Sequence, residues 1–307
     1  MKIREAAEEY EFSLSERAES TQQWVHKKLK YFVAWYEQSG KELEQITAAD
    51  MRKYLDGMRS KPSDRTGREL SSHTVHGHAR VIRGFLYWCD REDYLARRPK
   101  LQMPRTEKKV VPTLSADQIQ KMFLACEKEY TPELRVRDRA ILSVLLDTGI
   151  RAGELMSLTL ERTHLEVSDP HLLVKGKGFK QREVGLGKKA RAALGKYTSR
   201  YRRKTTGQDV VFLTRFGQPF TLNGLDQMLG RLGKWAGLEG VRVSAHVWRH
   251  TFAMNYLRNG GDVYKLSRLL GHTSIVQTEI YARDLKQREA REGRSVLDAF
   301  EDDKRKK

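Results

Sequence analysis

A chain of 307 residues, 39% hydrophobic and 32% charged, has the apolar content for two packed domains and argues against a disordered chain. No apolar run approaches the roughly 20 residues that span a bilayer, and the charged opening MKIREAAEEYEF has no secretory h-region, so a cytoplasmic protein without a membrane segment is expected. A net charge of +18, with both halves basic and the second more so, asks for a polyanionic partner, nucleic acid rather than lipid.

Cys89 and Cys126 stand without C-x-x-C or zinc-type spacing, so they read as buried apolar residues, with neither a disulfide nor a metal site. Residues 15 to 59 read as helices, with Ser15 or Thr21 as a cap, then Trp24, Val25, Leu29, Phe32, Val33 and Tyr36 at helical spacing. Gly40 separates these from a second run through Ile46, Met51, Tyr54 and Leu55, and the polar stretch 61 to 72 is a loop. From Ser72 an apolar stripe (Val75, Ala79, Ile82, Leu86, Cys89) runs beside a polar one (His73, His76, Arg80, Arg83, Tyr87). By itself the second stripe reads as a solvated helix face.

Residues 99 to 113 carry three prolines and no helical period, which predicts an extended linker between domains at 1–108 and 109–307. Two helices follow, the first capped within Leu114 to Asp117, the second broken at Gly149 just before Arg151. Leu165 to Val167, Leu172 to Val174 and Glu183 to Leu186 are short extended runs. A GKGFK turn lies between the last two, so the expected fold is mostly α with a small antiparallel β-sheet. Lys177 sits at the tip of that turn, and helices return from Lys188.

The stretch 244 to 281 gathers two histidines, an arginine and a tyrosine. His246 and Arg249, three apart on a helix, share one face. Gly260 and Gly261 stop that helix, Asp262 caps a second that ends at Gly271, and His272 follows on a tight turn. Thr273 or Ser274 caps a third short helix whose far end carries Tyr281. Singly, these are a cap, a surface arginine, a loop histidine and a core tyrosine. Together, H-x-x-R-H, then L-G-H, then a tyrosine nine residues on form a composite that chance rarely supplies.

That composite resembles the carboxy-terminal signature of the tyrosine recombinases, the integrase family that cuts and rejoins DNA through a phosphotyrosine. Recognisable motifs run from about Leu114 to Leu285, while residues 15 to 95 match in helical pattern alone. Trp248 and Gln277 replace a usual leucine and threonine, and Met254 stands where threonine is common. The resemblance implies an all-helical, SAM-like core-DNA-binding domain at 1–108 and an α+β catalytic domain with a carboxy-terminal tail at 109–307. Beside it, the stripe of His76, Arg80, Arg83 and Tyr87 becomes a helix laid against DNA.

Cleaving a phosphodiester requires charge neutralisation on two non-bridging oxygens, an activated nucleophile and a protonated leaving alkoxide. The resemblance makes Tyr281 the nucleophile of a 3′-phosphotyrosyl link, with Arg151 and Arg249 as the guanidinium clamp. His246 assists the phenol, and His272 donates to a phosphate oxygen. Lys177 is the general acid for the 5′-oxygen, with Lys175 and Lys180 close alternatives, and Glu154 supports the site from behind Arg151. No cofactor is implied. The implied partners are double-stranded DNA with specific target sites and a homotetramer formed on it, with room for an accessory DNA-bending protein or a partner recombinase. The implied setting is the cytoplasm, at the nucleoid. Integration, excision and dimer resolution stay open as roles. So do a same-strand cleaving and resealing enzyme of topoisomerase or end-resolving type, and a non-catalytic DNA-binding regulator. In the family, a tail group such as Val296, Leu297, Ala299 and Phe300 docks on a neighbouring protomer; the alternative is that Phe300 folds back onto its own domain.

Overall fold

A computed structural model describes residues 1–62, 67–107, 111–176, 181–204, 207 and 209–292, with the side chains of the last helix described to residue 287. The chain divides into two compact units, Met1–Lys109 and Val110–Lys307. Lys177, Lys180 and the tail residues Val296, Leu297, Ala299 and Phe300 lie outside the described residues. No helix of the described residues is long and apolar enough to cross a membrane.

The first unit contains α1 (Ile3–Ser13), α2 (Glu19–Glu37), α3 (Ala48–Ser60) and α4 (Ser72–Arg91). Its core is built from the apolar stripes: Leu29, Phe32, Val33 and Tyr36 of α2 meet Met51, Tyr54 and Leu55 of α3 and Val75, Ala79, Ile82, Leu86 and Cys89 of α4. Fully burying a side chain such as Phe32 contributes about 1.5–3 kcal/mol, which is why these stripes rather than local propensity decide the packing. Helix α1 was not expected. It buries only Ile3, Ala6 and Ala7, and two alanines make a faint stripe. The start of α2 also differs from the expectation: the cap position is Ala18, with no side-chain cap. Neither Ser15 nor Thr21 caps it; instead the Gln22 amide donates to the carbonyls of Ser15 and Arg17 and closes the turn.

The stretch expected as linker is bound over part of its length. Leu101 and Met103 pack on the first core, and His73 and His76 pair through their rings with the carbonyls of Glu107 and Pro104, at 2.9 Å each. These hydrogen bonds satisfy carbonyls that an extended segment cannot pair with its own backbone.

The second unit carries α5 (Ala116–Ala125), α6 (Pro132–Thr148), α7 (Ala152–Met156), strands β1 (Thr163–His164), β2 (His171–Lys175) and β3 (Gln181–Gly185), then α8 (Lys188–Lys196), α9 (Leu222–Trp235), α10 (Ala245–Arg258), α11 (Val263–Leu270) and α12 (Val276–Glu292). The sheet is antiparallel in the order β1-β2-β3. Its first strand is not the run expected at Leu165 to Val167: Thr163 pairs Leu172 and His164 pairs His171, while Val167 is exposed. Residues 165–170 form the irregular connection, bent at 167–169, that brings the chain back to β2. Helix α6 starts at Thr131, whose hydroxyl accepts from Leu134 N–H, with Pro132 in the first turn, and ends at Gly149 in the left-handed region (φ 60°). A Cβ at Gly149 would lie 2.2 Å from the Phe252 ring, so glycine is required there twice over.

Helix α10 is buried on nearly every side, from Ala245 and Val247 through Met254. Trp248 is fully enclosed and meets Phe123 edge-on at 6.4 Å, so the place the family usually gives to leucine is filled here by a larger side chain. Cys89 and Cys126 are both buried, as expected.

His78 of α4 is buried beside Tyr54, whose hydroxyl lies 3.1 Å from Nδ1. Burial, aided by the Lys28 and Lys61 charges, lowers its pKa to about 4. Between about pH 6.5 and 4 the unfolded chain therefore binds a proton that the folded chain refuses, so this contribution is present above that window and lost on acidification. At its full extent the loss is on the order of 3 kcal/mol. Urea unfolding of the full chain across this window is expected to show a shallower acid loss for His78→Gln than for the unsubstituted protein; identical pH slopes would remove His78 from the acid response.

Candidate active site

Helix C-termini leave backbone carbonyls without intrahelical partners. In the second unit arginines take them. Arg249, on the second turn of α10 and 5% exposed, donates from Nη1 to Gly149 O and from Nη2 to Leu270 O, both at 2.8 Å. Arg151, just before α7, donates from Nη2 to Gly271 O at 2.9 Å and from Nη1 to Glu154 Oε1 at 3.0 Å. Its side chain keeps 42% of its surface open. Glu154 Oε2 also accepts the Arg151 backbone N–H at 2.8 Å, closing the first turn of α7.

A third arginine, which motif spacing does not single out, completes the arrangement. Arg182 of β3 donates through both terminal nitrogens to the two Glu154 oxygens, at 2.8 and 2.9 Å, and through Nε to Leu269 O at 2.8 Å. The signal for it lies in the strand period: Arg182 shares the inward phase with buried Val184 and Leu186. An inward arginine on a half-buried strand requires an acceptor. Gly271 is left-handed (φ 63°), and a Cβ there would come within 2.8 Å of the Arg182 guanidinium. The LG dipeptide before His272 is thus both a helix stop and a clearance.

His272 lies on the turn so formed. Its Nε2 is 2.9 Å from Arg249 Nη2 and its Nδ1 is 2.7 Å from Thr278 Oγ1. Burial, then the charges of Arg249, Arg151 and Arg182, lower its pKa to about 4. His246, in the first turn of α10, keeps an exposed edge, and partial burial together with the Arg249 charge holds its pKa below the ordinary histidine value. Burial and the Arg151 charge bring Arg249 down to about 10, so it stays protonated at neutral pH. Burial alone would raise the Glu154 carboxyl, but Arg182 and the two Arg151 contacts outweigh it and hold it below the usual carboxylate range.

Tyr281 does not stand at the far end of a short helix. It lies in the second turn of the 17-residue α12 and is only 6% exposed, packed with Phe252, Leu266, Leu270 and Leu285. Its ring stacks on His272 at 6.1 Å with 11° between planes, and meets His250 at 4.9 Å. His250 Nε2 lies 3.9 Å from Asp284 Oδ2, a second tie between α10 and α12. The fold therefore brings Arg151, Arg249, His272, Glu154 and Tyr281 together around the end of α11. Lys175 ends β2 in an exposed position.

In the first unit the α4 stripe is split. The His76 ring pairs with Pro104 O, whereas Arg80 lies over the Trp24 ring at 5.3 Å. Arg83 and Tyr87 are exposed and line, with Arg80, Arg98 and Lys100, a groove of about 810 Å³. Arg98 stacks on Tyr87 at 5.1 Å. Arg98 and Lys100 lie outside the helical stripe and were not expected here, although the run RRPK at 97–100 was the available signal.

Residues 112–288 match the phage integrase family. The tyrosine recombinase XerD of Listeria monocytogenes is 32% identical over 224 residues, 71% of this chain and 74% of that one. XerC of Oceanobacillus iheyensis is 31% identical over 246 residues, 78% and 77% of the two chains. The fold is also similar to that of the XerH site-specific recombinase, solved in a post-cleavage complex with palindromic difH, at a TM-score of 0.71 and 22% identity over 87% of this chain and 77% of that one. The chain belongs to the phage integrase family, and within it to the tyrosine recombinases, site-specific enzymes that break and rejoin DNA.

Arg182→Ala is expected to destabilise the protein by about 2–4 kcal/mol, because it removes the bidentate partner of a buried carboxylate. Arg182→Lys should recover little, since an ammonium cannot make the paired contact. Thermal unfolding decides; a melting temperature unchanged in Arg182→Ala would show that Arg151 alone neutralises Glu154.

Proposed function

We propose that Tyr281 Oη attacks a DNA phosphorus held by Arg151 and Arg249, forming a 3′-phosphotyrosyl bond as the P–O5′ bond breaks and the 5′-oxygen leaves. The observation that carries this reading is the convergence of Arg151, Arg249 and His272 on the turn after α11, with the Tyr281 ring stacked on His272. Guanidinium groups already ordered against carbonyls need little reorganisation to receive two non-bridging oxygens, and donors fixed in advance where charge develops lower the barrier more than most other catalytic effects. His246, whose lowered pKa keeps it neutral, takes up the phenolic proton. Lys177, outside the described residues, donates the proton to the leaving 5′-oxygen. A 5′-hydroxyl from a partner strand then attacks the phosphotyrosine and releases Tyr281, so the bond energy is conserved through both transfers.

The partner is duplex DNA bearing specific sites, bound by a homotetramer so that four active sites serve two duplexes, in the cytoplasm at the nucleoid. The groove of Arg83, Arg98 and Lys100 supports a phosphate-contacting role for the first unit. Mapping covalent junctions on the DNA flanking the gene would define the target site.

On a nicked duplex carrying that site, Tyr281→Phe is expected to bind with wild-type affinity and to form no covalent adduct, as only the nucleophilic oxygen is removed. Undiminished trapping would take Tyr281 out of the reaction. Arg151→Ala should slow adduct formation by about 10²–10³-fold. For the first unit, Arg80→Ala with Arg83→Ala should lower affinity and flatten the salt dependence by about 1 per lost phosphate contact; an unchanged slope returns that face to solvent.

A further inference from the structure

Thr278 is wholly buried, and its Oγ1 is 2.7 Å from His272 Nδ1. Across the ring, Nε2 is 2.9 Å from Arg249 Nη2. A guanidinium only donates, so Nε2 is the acceptor of that pair. The neutral ring therefore carries its proton on Nδ1 and donates it to Thr278. In this tautomer the nitrogen turned toward the arginines has no proton to give to a phosphate oxygen.

We propose that Thr278 is a positioning residue for strand cleavage: its hydroxyl holds the His272 ring in place whichever nitrogen is protonated, and so lets the ring change from acceptor toward Arg249 to donor toward the scissile phosphate. The proposal rests on the reading of His272 as a phosphate ligand. When a phosphate oxygen takes the Arg249 Nη2–H, Nε2 loses its donor. The ring then takes a proton from solvent at Nε2 and returns the Nδ1 proton to solvent, and the Thr278 hydroxyl rotates to donate to Nδ1. The ring ends neutral, with no net proton gained. A hydroxyl is suited to this because it both donates and accepts. A carbonyl or carboxylate at the same place would hold the proton on Nδ1, and donation from Nε2 would then need an imidazolium beside three arginines, which burial and their charges disfavour. Thr278 also precedes Tyr281 by three residues on α12, so the helix that carries the nucleophile carries the partner that orients His272.

The test is single-turnover cleavage of the same nicked duplex by Thr278→Val and Thr278→Ser, each made alone and with His272→Ala. Thr278→Val is expected to react at least about tenfold more slowly at unchanged duplex affinity, Thr278→Ser to stay within about threefold, and Thr278→Val to add nothing once His272 is gone. Equal slowing in both backgrounds would make Thr278 a general structural residue and overturn the proposal, as would a wild-type rate for Thr278→Val. Independently of activity, 15N-histidine spectra of the free protein, with His272 assigned by its loss in His272→Ala, should show the Nδ1–H tautomer; an Nε2–H signal overturns it. Absence of any covalent adduct with the unsubstituted protein would instead sink the assignment of Tyr281.

Discussion

Three guanidinium groups meet the carbonyl end of one eight-residue helix, and a single carboxylate among the described contacts serves two of them. Leu269, Leu270 and Gly271 of α11 and its cap each accept from a different arginine, Arg182, Arg249 and Arg151, while Glu154 pairs with Arg182 and Arg151. Helix C-termini carry partial negative charge, which makes carbonyls there better partners for a cation than carbonyls elsewhere. They do not cancel a full positive charge. The cluster therefore stays electropositive, as the proposed phosphate site requires.

This constraint explains much of the surrounding architecture. Burying Arg249 at 5% exposure costs several kcal/mol unless its N–H groups find partners, and two of the partners are the glycine-stopped ends of α6 and α11. Gly149 and Gly271 are placed where a Cβ would strike Phe252 or Arg182, so each end can be approached closely. Helix α10 must then run through the interior to bring Arg249 to both ends, which accounts for its burial on nearly all faces.

The same logic extends to His272 and Tyr281. Arg151, Arg249 and His272 each have partners within the protein, and a phosphate would exchange those partners rather than meet bare charges. The tyrosine is packed with Leu266, Leu270 and Leu285 on one side and stacked on His272 on the other. Its environment in the free chain is that of a core residue, and the histidine face is what distinguishes it from one.

Much of the local structure around the second unit's candidate site was legible in the chain because helix punctuation is local. Asp262 as a cap and Gly149 and Gly271 as stops follow from hydrogen bonds and backbone conformations spanning a few residues. The apolar stripes of α2, α3 and α4 were readable for a similar reason, since burial repeats with the helical period. Helix α1 was not, because alanines bury too little surface to mark a period, and the strand placed at Leu165 to Val167 failed because pairing partner and turn length, not propensity, decided that β1 is Thr163–His164. The amino acids alone determined which side chains were available for phosphate chemistry. Only the tertiary structure decided that Arg182 joins them, that His76 turns to Pro104, and that Thr278 faces His272. Those contacts join residues whose pairing depends on where helices and strands end in space, and charge and geometry across such distances leave no periodic trace in the chain.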